Sequence, residues 1–239
     1  MRIEPATWTD ARLAGTRFTD VRWFTVVDST NKYLLDVAGQ GAPEGVVAVA
    51  DEQTAGRGRL GRTWIAPRGA ALLVSVLLRP TLSIEQMHLV TLAAALAAVD
   101  ALPGTPALVK WPNDVVVDDR KLAGILAEAD GAGAVVVGVG INVRDDWFPP
   151  ELRDTATAVT IDRTELLVAW LRAYDARLDA LDSVLVDAAV CSATLGRRVR
   201  VQLAHETFEG TAQCLTAEGY LVVDDRTVTS GDVVHLRGV

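Results

Sequence analysis

The sequence predicts an α+β fold in which a main domain of short strands and helices is followed by a small β-barrel. Three observations carry this. Apolar runs at Val46 to Ala50, Ala71 to Leu78 and Val135 to Val143 have the length of buried strands. Two capping boxes open longer Leu- and Ala-rich stretches that read as helices. From about Leu195 the chain changes to short β-branched runs separated by turns at Gly219, Asp225 and Gly231.

In chain order, residues Met1 to Thr19 carry no clear period and form a lead-in. Val21 to Val27 is a strand running into Asp28-Ser29-Thr30-Asn31. Ser29 or Thr30 caps a helix through Leu34, Leu35 and Ala38, and Gly39 ends it. The strand Val46 to Ala50 follows, then a glycine–arginine loop, then the strand Ala71 to Leu78. Ser83-Ile84-Glu85-Gln86 is the first capping box, and its helix ends before Pro103. Leu108 to Trp111, Val115 to Asp118, Leu122 to Glu128 and Val135 to Val143 are successive strands, with a hairpin turn at Asp118-Asp119-Arg120. Asp162-Arg163-Thr164-Glu165 is the second box. Its helix places Leu166, Leu167, Trp170, Leu171, Tyr174, Leu178 and Leu181 on one face. The barrel strands are Val199 to Leu203, Gly210 to Cys214, Tyr220 to Val223 and Val233 to Leu236. The expected division is 1–20 lead-in, 21–192 main domain and 193–239 barrel.

The 239 residues can bury one substantial core and a small second one. Hydrophobic residues at 50% and charged residues at 23% mark a globular chain. A net charge of −8 argues against nucleic-acid binding, so a basic cluster stands out as local chemistry. Cys191 and Cys214 are too few for a disulfide framework and show no metal-ligand spacing with the three histidines. The N-terminus lacks an apolar signal region. The apolar stretch Met87 to Val99 falls short of the ~20 residues that span a bilayer. A soluble, cytoplasmic protein with no membrane partner is expected.

Three segments carry chemistry. Gly56-Arg57-Gly58-Arg59-Leu60-Gly61 matches a dinucleotide fingerprint by letter, but a strand follows it where a helix is required, and no acidic residue stands near Val76. The loop reads instead as an anion clamp. Glycines admit the ligand to backbone N–H groups, and Arg57, Arg59 and Arg62 offer guanidinium forks to phosphate or carboxylate. A solvated basic loop is the plain alternative. An RNA-binding segment is disfavoured by one short copy in an acidic chain.

The second segment is Lys110-Trp111-Pro112-Asn113-Asp114, with Lys121-Leu122-Ala123-Gly124-Ile125-Leu126 returning after the turn. Pro112 favours an extended Trp111. A hairpin can bring Lys121 near Asp114, which suits a carboxylate, a phosphate and Mg²⁺, although the register is open and surface decoration is the plain alternative. The third is Val137-Gly138-Val139-Gly140-Ile141-Asn142-Val143. Glycines in a β-branched strand mark close approach of a ligand or of another backbone.

Taken in order and spacing, these segments resemble the biotin protein ligases. The resemblance runs from Asp28-Ser29-Thr30-Asn31 through Gln53-Thr54-Ala55-Gly56-Arg57-Gly58-Arg59-Leu60-Gly61-Arg62-Thr63-Trp64, the Lys110 and Lys121 blocks and Gly138 to Val143. Trp147 to Leu152 and Ala156-Thr157-Ala158 extend it, whereas the first residues and Arg163 to Ala193 match nothing specific.

The resemblance implies a mixed sheet flanked by helices with an SH3-like barrel behind it. It implies two half-reactions, from biotin and MgATP to biotinyl-5′-AMP, then transfer to a lysine of a biotin carboxyl carrier domain. Ser29, Thr30, Asn31 and Gln53 would meet the ureido end of biotin. Arg57, Gly58, Arg59 and Lys121 would hold its carboxylate and the α-phosphate. Gly124, Gly138 and Gly140 would let the wall approach. Arg62, Trp64, Lys110, Asn113 and Asn142 are candidates for the nucleotide, with Trp64 and Asn142 on the adenine and ribose side. Lys121, Arg59 and Asp114 are the catalytic candidates, and Asp114 is also the candidate Mg²⁺ ligand. No prosthetic group is expected. Some members carry an N-terminal DNA-binding domain; about 20 residues precede the first strand here, so a monofunctional form is expected. The rivals are a lipoate or octanoate ligase of the same fold and a non-catalytic biotin-binding regulator.

Overall fold

The computed structural model describes residues 4–83 and 86–236. Eight strands build one sheet: β1 (Ala6–Trp8), β2 (Asp20–Phe24), β3 (Val46–Ala50), β4 (Ala71–Leu78), β5 (Leu108–Lys110), β6 (Asp114–Val117), β7 (Arg120–Ala129) and β8 (Val135–Asn142). Their order is β1-β2-β3-β4-β8-β7-β6-β5. β2 and β3 pair in parallel and the other neighbours are antiparallel, so the sheet is mixed as expected.

The central strands β3, β4 and β8 are buried at every residue because both faces of the sheet are covered. Val47 and Val49 face a large core shared with helices α2 (His88–Asp100) and α3 (Arg163–Asp179). Val46, Ala48 and Ala50, one residue out of step, face Leu34 and Ala38 of helix α1 (Thr30–Ala38). Inside the large core the polar tips of α3 are satisfied by α2: Trp170 Nε1 donates to Ala94 O at 3.2 Å and the Tyr174 hydroxyl to Val90 O at 2.9 Å. Burial lifts the Tyr174 phenol well above its ordinary value.

The helix ends follow their caps, with differences. Ser29 caps α1, accepting from Lys32 N, and Gly39 closes it. Asp162 accepts from the backbone of Thr164 and Glu165, but the Glu165 carboxylate pairs with Arg12 instead of completing a box. The Gln86 side chain accepts from Ser83 N at 3.3 Å, yet regular helix begins only at His88; Ile84 and Glu85 lie outside the described residues. Leu181 lies beyond α3 in a short 3₁₀ turn, and a further helix α4 (Val184–Val190) follows that no pattern marked. The lead-in is also corrected: β1 pairs with β2 and closes that edge of the main sheet.

The C-terminal unit is a five-stranded antiparallel sheet, the SH3-like barrel, of β9 (Arg198–Gln202), β10 (Thr207–Leu215), β11 (Leu221–Val223), β12 (Arg226–Val228) and β13 (Asp232–His235). Its order is β12-β11-β10-β9-β13. Its core includes Val199, Val201, Leu221 and Val233, and one residue of the main domain, Trp111, is packed among them. Among the described residues no helix is long and apolar enough to cross a membrane.

Candidate active site

A cavity of about 290 Å³ opens over the sheet where β7 and β8 run side by side. Register places Gly124 opposite Gly140 and Leu126 opposite Gly138, so three glycines lie together in its floor. Each is required by what lies above it. A Cβ at Gly140 would come within 2.6 Å of Trp64 Cε2, one at Gly124 within 2.9 Å of Trp64 Cζ3, and one at Gly138 within 2.1 Å of Asn31 Oδ1. The glycines therefore make room for protein side chains that in turn face the cavity.

One end of the cavity is a hydrogen-bonded polar cluster. Gln53 Oε1 accepts from Thr30 N at 2.8 Å and from the Thr30 hydroxyl at 3.0 Å. The Ser75 hydroxyl lies 2.6 Å from both Thr30 Oγ1 and Asn31 Oδ1. Ser29, Thr30, Asn31 and Ser75 are all buried. The start of α1 supplies three of them because its cap turns the chain toward β4.

The glycine–arginine loop forms a lid at the other end. It is a narrow hairpin in which Gly58 N donates to Arg62 O at 2.7 Å and Trp64 N to Gly56 O at 3.0 Å. Gly56 cannot carry a side chain, since a Cβ would meet Trp64 O at 2.4 Å. Leu60 and Gly61 at its tip both adopt left-handed backbone, with φ of 55° and 74°. Arg57 pairs with Glu128 at 3.0 Å, Arg59 Nη1 donates to Asn113 Oδ1 at 3.0 Å, and Arg62 pairs with Asp232 of β13. Burial draws the Arg59 guanidinium below its ordinary value, while the charges of Asp232 and Asp114 oppose that.

The hairpin of β6 and β7 brings its charges to the same place. Asp118 and Asp119 form the turn, both left-handed. The Lys121 backbone opposes Val116, but an irregularity at Val115/Val116 and a long side chain bring Lys121 Nζ to 2.6 Å from Asp114 Oδ1. Lys121 Nζ also stands 5.6 Å from the centre of a Trp64 ring. Lys110 opposes Asp114 in register. Burial lowers its pKa, with Asp114 acting against that and Lys121 adding to it. Asn113 is held from two sides, as Nδ2 donates to Ile125 O at 2.7 Å and Ile125 N to Asn113 O at 2.9 Å. The Trp111–Pro112 peptide is cis.

Of the residues singled out from sequence, Ser29, Thr30, Asn31, Gln53, Arg57, Gly58, Arg59, Arg62, Trp64, Lys110, Asn113, Asp114, Lys121, Gly124, Gly138 and Gly140 all line this one cavity. Asn142 does not. It is buried with Nδ2 donating to Thr157 O at 3.1 Å, and its carbonyl accepts from Val159 N at 3.1 Å, so it fastens the 155–159 segment to the end of β8. Trp64 lies flat on the glycine floor, beside Lys121, with its indole N–H buried and unpaired among the described residues. Ser75, Gln202 and Asp232 line the cavity without having been singled out. For Ser75 a signal exists: it is the one hydroxyl in the otherwise apolar run Ala71 to Leu78.

Among the described residues no group of three or more His, Cys, Asp or Glu side chains could hold a metal ion. Of the two carboxylates lining the cavity, Asp232 is paired with Arg62, and Asp114 stands beside Lys110, Lys121 and Arg59. That fits a Mg²⁺ arriving with phosphates, which takes one or two carboxylates and keeps water, and does not fit a resident all-protein site.

Comparison with known proteins agrees with this geometry. The Biotin/lipoate A/B protein ligase family matches residues 23–144, and the Biotin protein ligase C terminal domain matches residues 194–236. A biotin–(acetyl-CoA-carboxylase) ligase of Mycobacterium tuberculosis is 38% identical, over 94% of this chain and 92% of that one. The bifunctional ligase/repressor BirA of Bacillus spizizenii is 34% identical over 83% of this chain and 67% of its own length. In structure, the biotin protein ligase of Aquifex aeolicus in complex with biotin and ATP superposes with a TM-score of 0.80 at 28% identity, covering 92% of this chain and all of that one. With a lid and glycine floor in one matched domain and the barrel in the other, the chain belongs to the biotin protein ligases of the biotin/lipoate ligase family.

Proposed function

We propose that the chain ligates biotin to a carrier protein. A biotin carboxylate oxygen attacks the α-phosphorus of ATP, giving biotinyl-5′-AMP as pyrophosphate leaves. The ε-amine of a lysine on a biotin carboxyl carrier domain then attacks the acyl carbon. The C–O bond to AMP breaks, an amide forms, and the amine proton is lost to solvent.

One observation carries this reading. A single cavity has a closed, hydrogen-bonding end at Thr30, Asn31, Gln53 and Ser75 and a cationic end at Arg59, Lys110 and Lys121. Biotin has that polarity, with a ureido ring at one extremity and a carboxylate at the other. The dithiolane of lipoate offers no N–H or C=O to match the hydrogen-bonding capacity that the buried polar end has left over from its internal bonds.

Ser29, Thr30, Asn31 and Gln53 meet the ureido ring. Trp64 and the glycine floor line the ring and tail. Lys121 and Arg59 neutralise carboxylate and α-phosphate so that two anions can approach, which is electrostatic stabilisation aimed at the pentavalent phosphorus. Arg57 also holds the biotin carboxylate and, with Arg62 and Lys110, shares the phosphate charge, and Asn113 orients Arg59. Asp114 would help to hold a Mg²⁺ brought in by ATP, which would supply further charge neutralisation. Asp114 otherwise holds Lys121 in place and faces the incoming amine. Cytoplasm is the proposed location, since ATP is there and both cysteines are free thiols.

The test is pyrophosphate release dependent on biotin, with none from lipoate, followed by transfer of labelled biotin to a carrier domain. No transfer with a folded carrier would overturn the ligase reading.

A further inference from the structure

We infer that Glu128, which does not itself line the cavity, is a positioning residue that sets the hydrogen-bonding polarity of the biotin end and ties the loop arginine Arg57 to it. The inference rests on the ligase reading.

The geometry starts from Asn31. Its Nδ2 donates to Glu128 Oε2 at 2.8 Å and to Leu126 O at 3.2 Å. A carboxylate and a backbone carbonyl can only accept, so both amide hydrogens must point that way and the two ends of the amide cannot exchange. The amide oxygen is thereby turned toward Ser75, whose hydroxyl lies 2.6 Å away. An amide oxygen has two lone pairs, and Ser75 uses one. The other is left for an N–H donor in the cavity, which the ureido ring supplies. Asn31 Oδ1 also rests directly against Gly138, in the space a Cβ there would take.

The second Glu128 oxygen faces the other way. Oε1 stands 3.0 Å from Arg57 Nη1, in a pair where Glu128 is three-quarters covered. One carboxylate thus connects the polar end of the cavity to the first arginine of the lid. A solvated surface pair would contribute little. This one holds two groups that face the same ligand.

Only a carboxylate serves both donors. In Glu128→Gln one oxygen becomes NH₂, which must face either Asn31 Nδ2 or Arg57, both donors. We expect the biotin dissociation constant of the full chain, read by calorimetry, to rise about tenfold in Glu128→Gln and further in Glu128→Ala. The rate of pyrophosphate release at saturating biotin should stay within about threefold, so that KM moves and kcat does not. In a double-mutant cycle, Arg57→Ala should weaken biotin less in the Glu128→Ala background than in the wild type. Glu128→Gln is isosteric, so it decides the matter if the alanine variant loses its fold. Biotin affinity of Glu128→Gln within about twofold of wild type, or an additive cycle, overturns the inference. Wild type that binds and transfers biotin normally alongside such a result leaves the ligase reading standing, whereas wild type that binds no biotin brings down both.

Discussion

Asn31 occupies the space that a side chain at position 138 would need: a Cβ there would come within 2.1 Å of Asn31 Oδ1. Asn31 is pinned by Ser75, Leu126 and Glu128, so the strain of a larger residue has no soft outlet. Gly138→Ala should cost about 1–3 kcal/mol of stability by overpacking. It should also weaken biotin binding at least about tenfold, because the amide must leave its place. Denaturant titration and calorimetry read the two effects, and unchanged biotin affinity would refute the link.

Lys121→Ala removes the cation nearest Asp114 from a partly exposed position, so the fold should survive. Adenylation should slow by about 10²–10³-fold, the scale seen when one preorganised charge partner of a transition state is lost. A single-turnover measurement of pyrophosphate release checks this. A near-normal rate would remove Lys121 from the chemistry.

Arg59 is half buried and held by Asn113, which presents its fork to the cavity. Arg59→Gly should speed the dissociation of biotinyl-AMP by about 10–100-fold while changing biotin affinity less, since a charge-assisted bond to phosphate is lost. Equal off-rates for the adenylate in mutant and wild type would contradict the assignment.

Trp111 packs in the barrel core and donates its indole N–H to Gly219 O at 3.1 Å. Trp111→Ala should cost about 3–5 kcal/mol through the cavity it leaves. Thermal denaturation should show the barrel loosening first, and a melting temperature unchanged from wild type would speak against this packing role.

The seam between the units should be acid-sensitive. Asp119 is lowered from 3.8 to about 2, mainly by its hydrogen bond to Arg197. A carboxylate depressed in the folded state contributes stability above its unfolded pKa, and that is lost as pH falls from about 4 toward 2. Burial lowers His235 below 6.5, so the folded chain prefers it neutral and stability also declines as pH drops below that value. Asp119→Asn should flatten the lower window and His235→Gln the upper one, in melting temperature measured against pH. Unaltered profiles would place the acid sensitivity elsewhere.

Much of this molecule is legible from residues alone. The runs at 46–50, 71–78 and 135–143 predict β3, β4 and β8 to within a residue, because strands covered on both faces need continuous apolar character. β1 and β12, three residues each, carry too few positions for a period and exist through their ladder partners. α4 shows Val186 and Val190 to solvent, which hides its amphipathic face. Glycines and cations mark the cavity because their chemistry is rare inside strands and acidic chains. Ser75, Glu128 and Asp232 contribute through register and domain packing, which no local spacing encodes. Asn142 was expected on the nucleotide, since a polar strand end looks like a ligand contact; its amide is used by Thr157 instead.

The β6–β7 hairpin is held by the small barrel at two places. At its root Trp111 N donates to Thr194 Oγ1 at 3.2 Å and the indole enters the barrel, while at its tip Asp119 meets Arg197 and His235. Such a strip behaves as a beam on two supports and cannot rock about either one. Lys121 and Asp114 ride on the span between them, so the barrel helps to fix where that pair lies over the cavity.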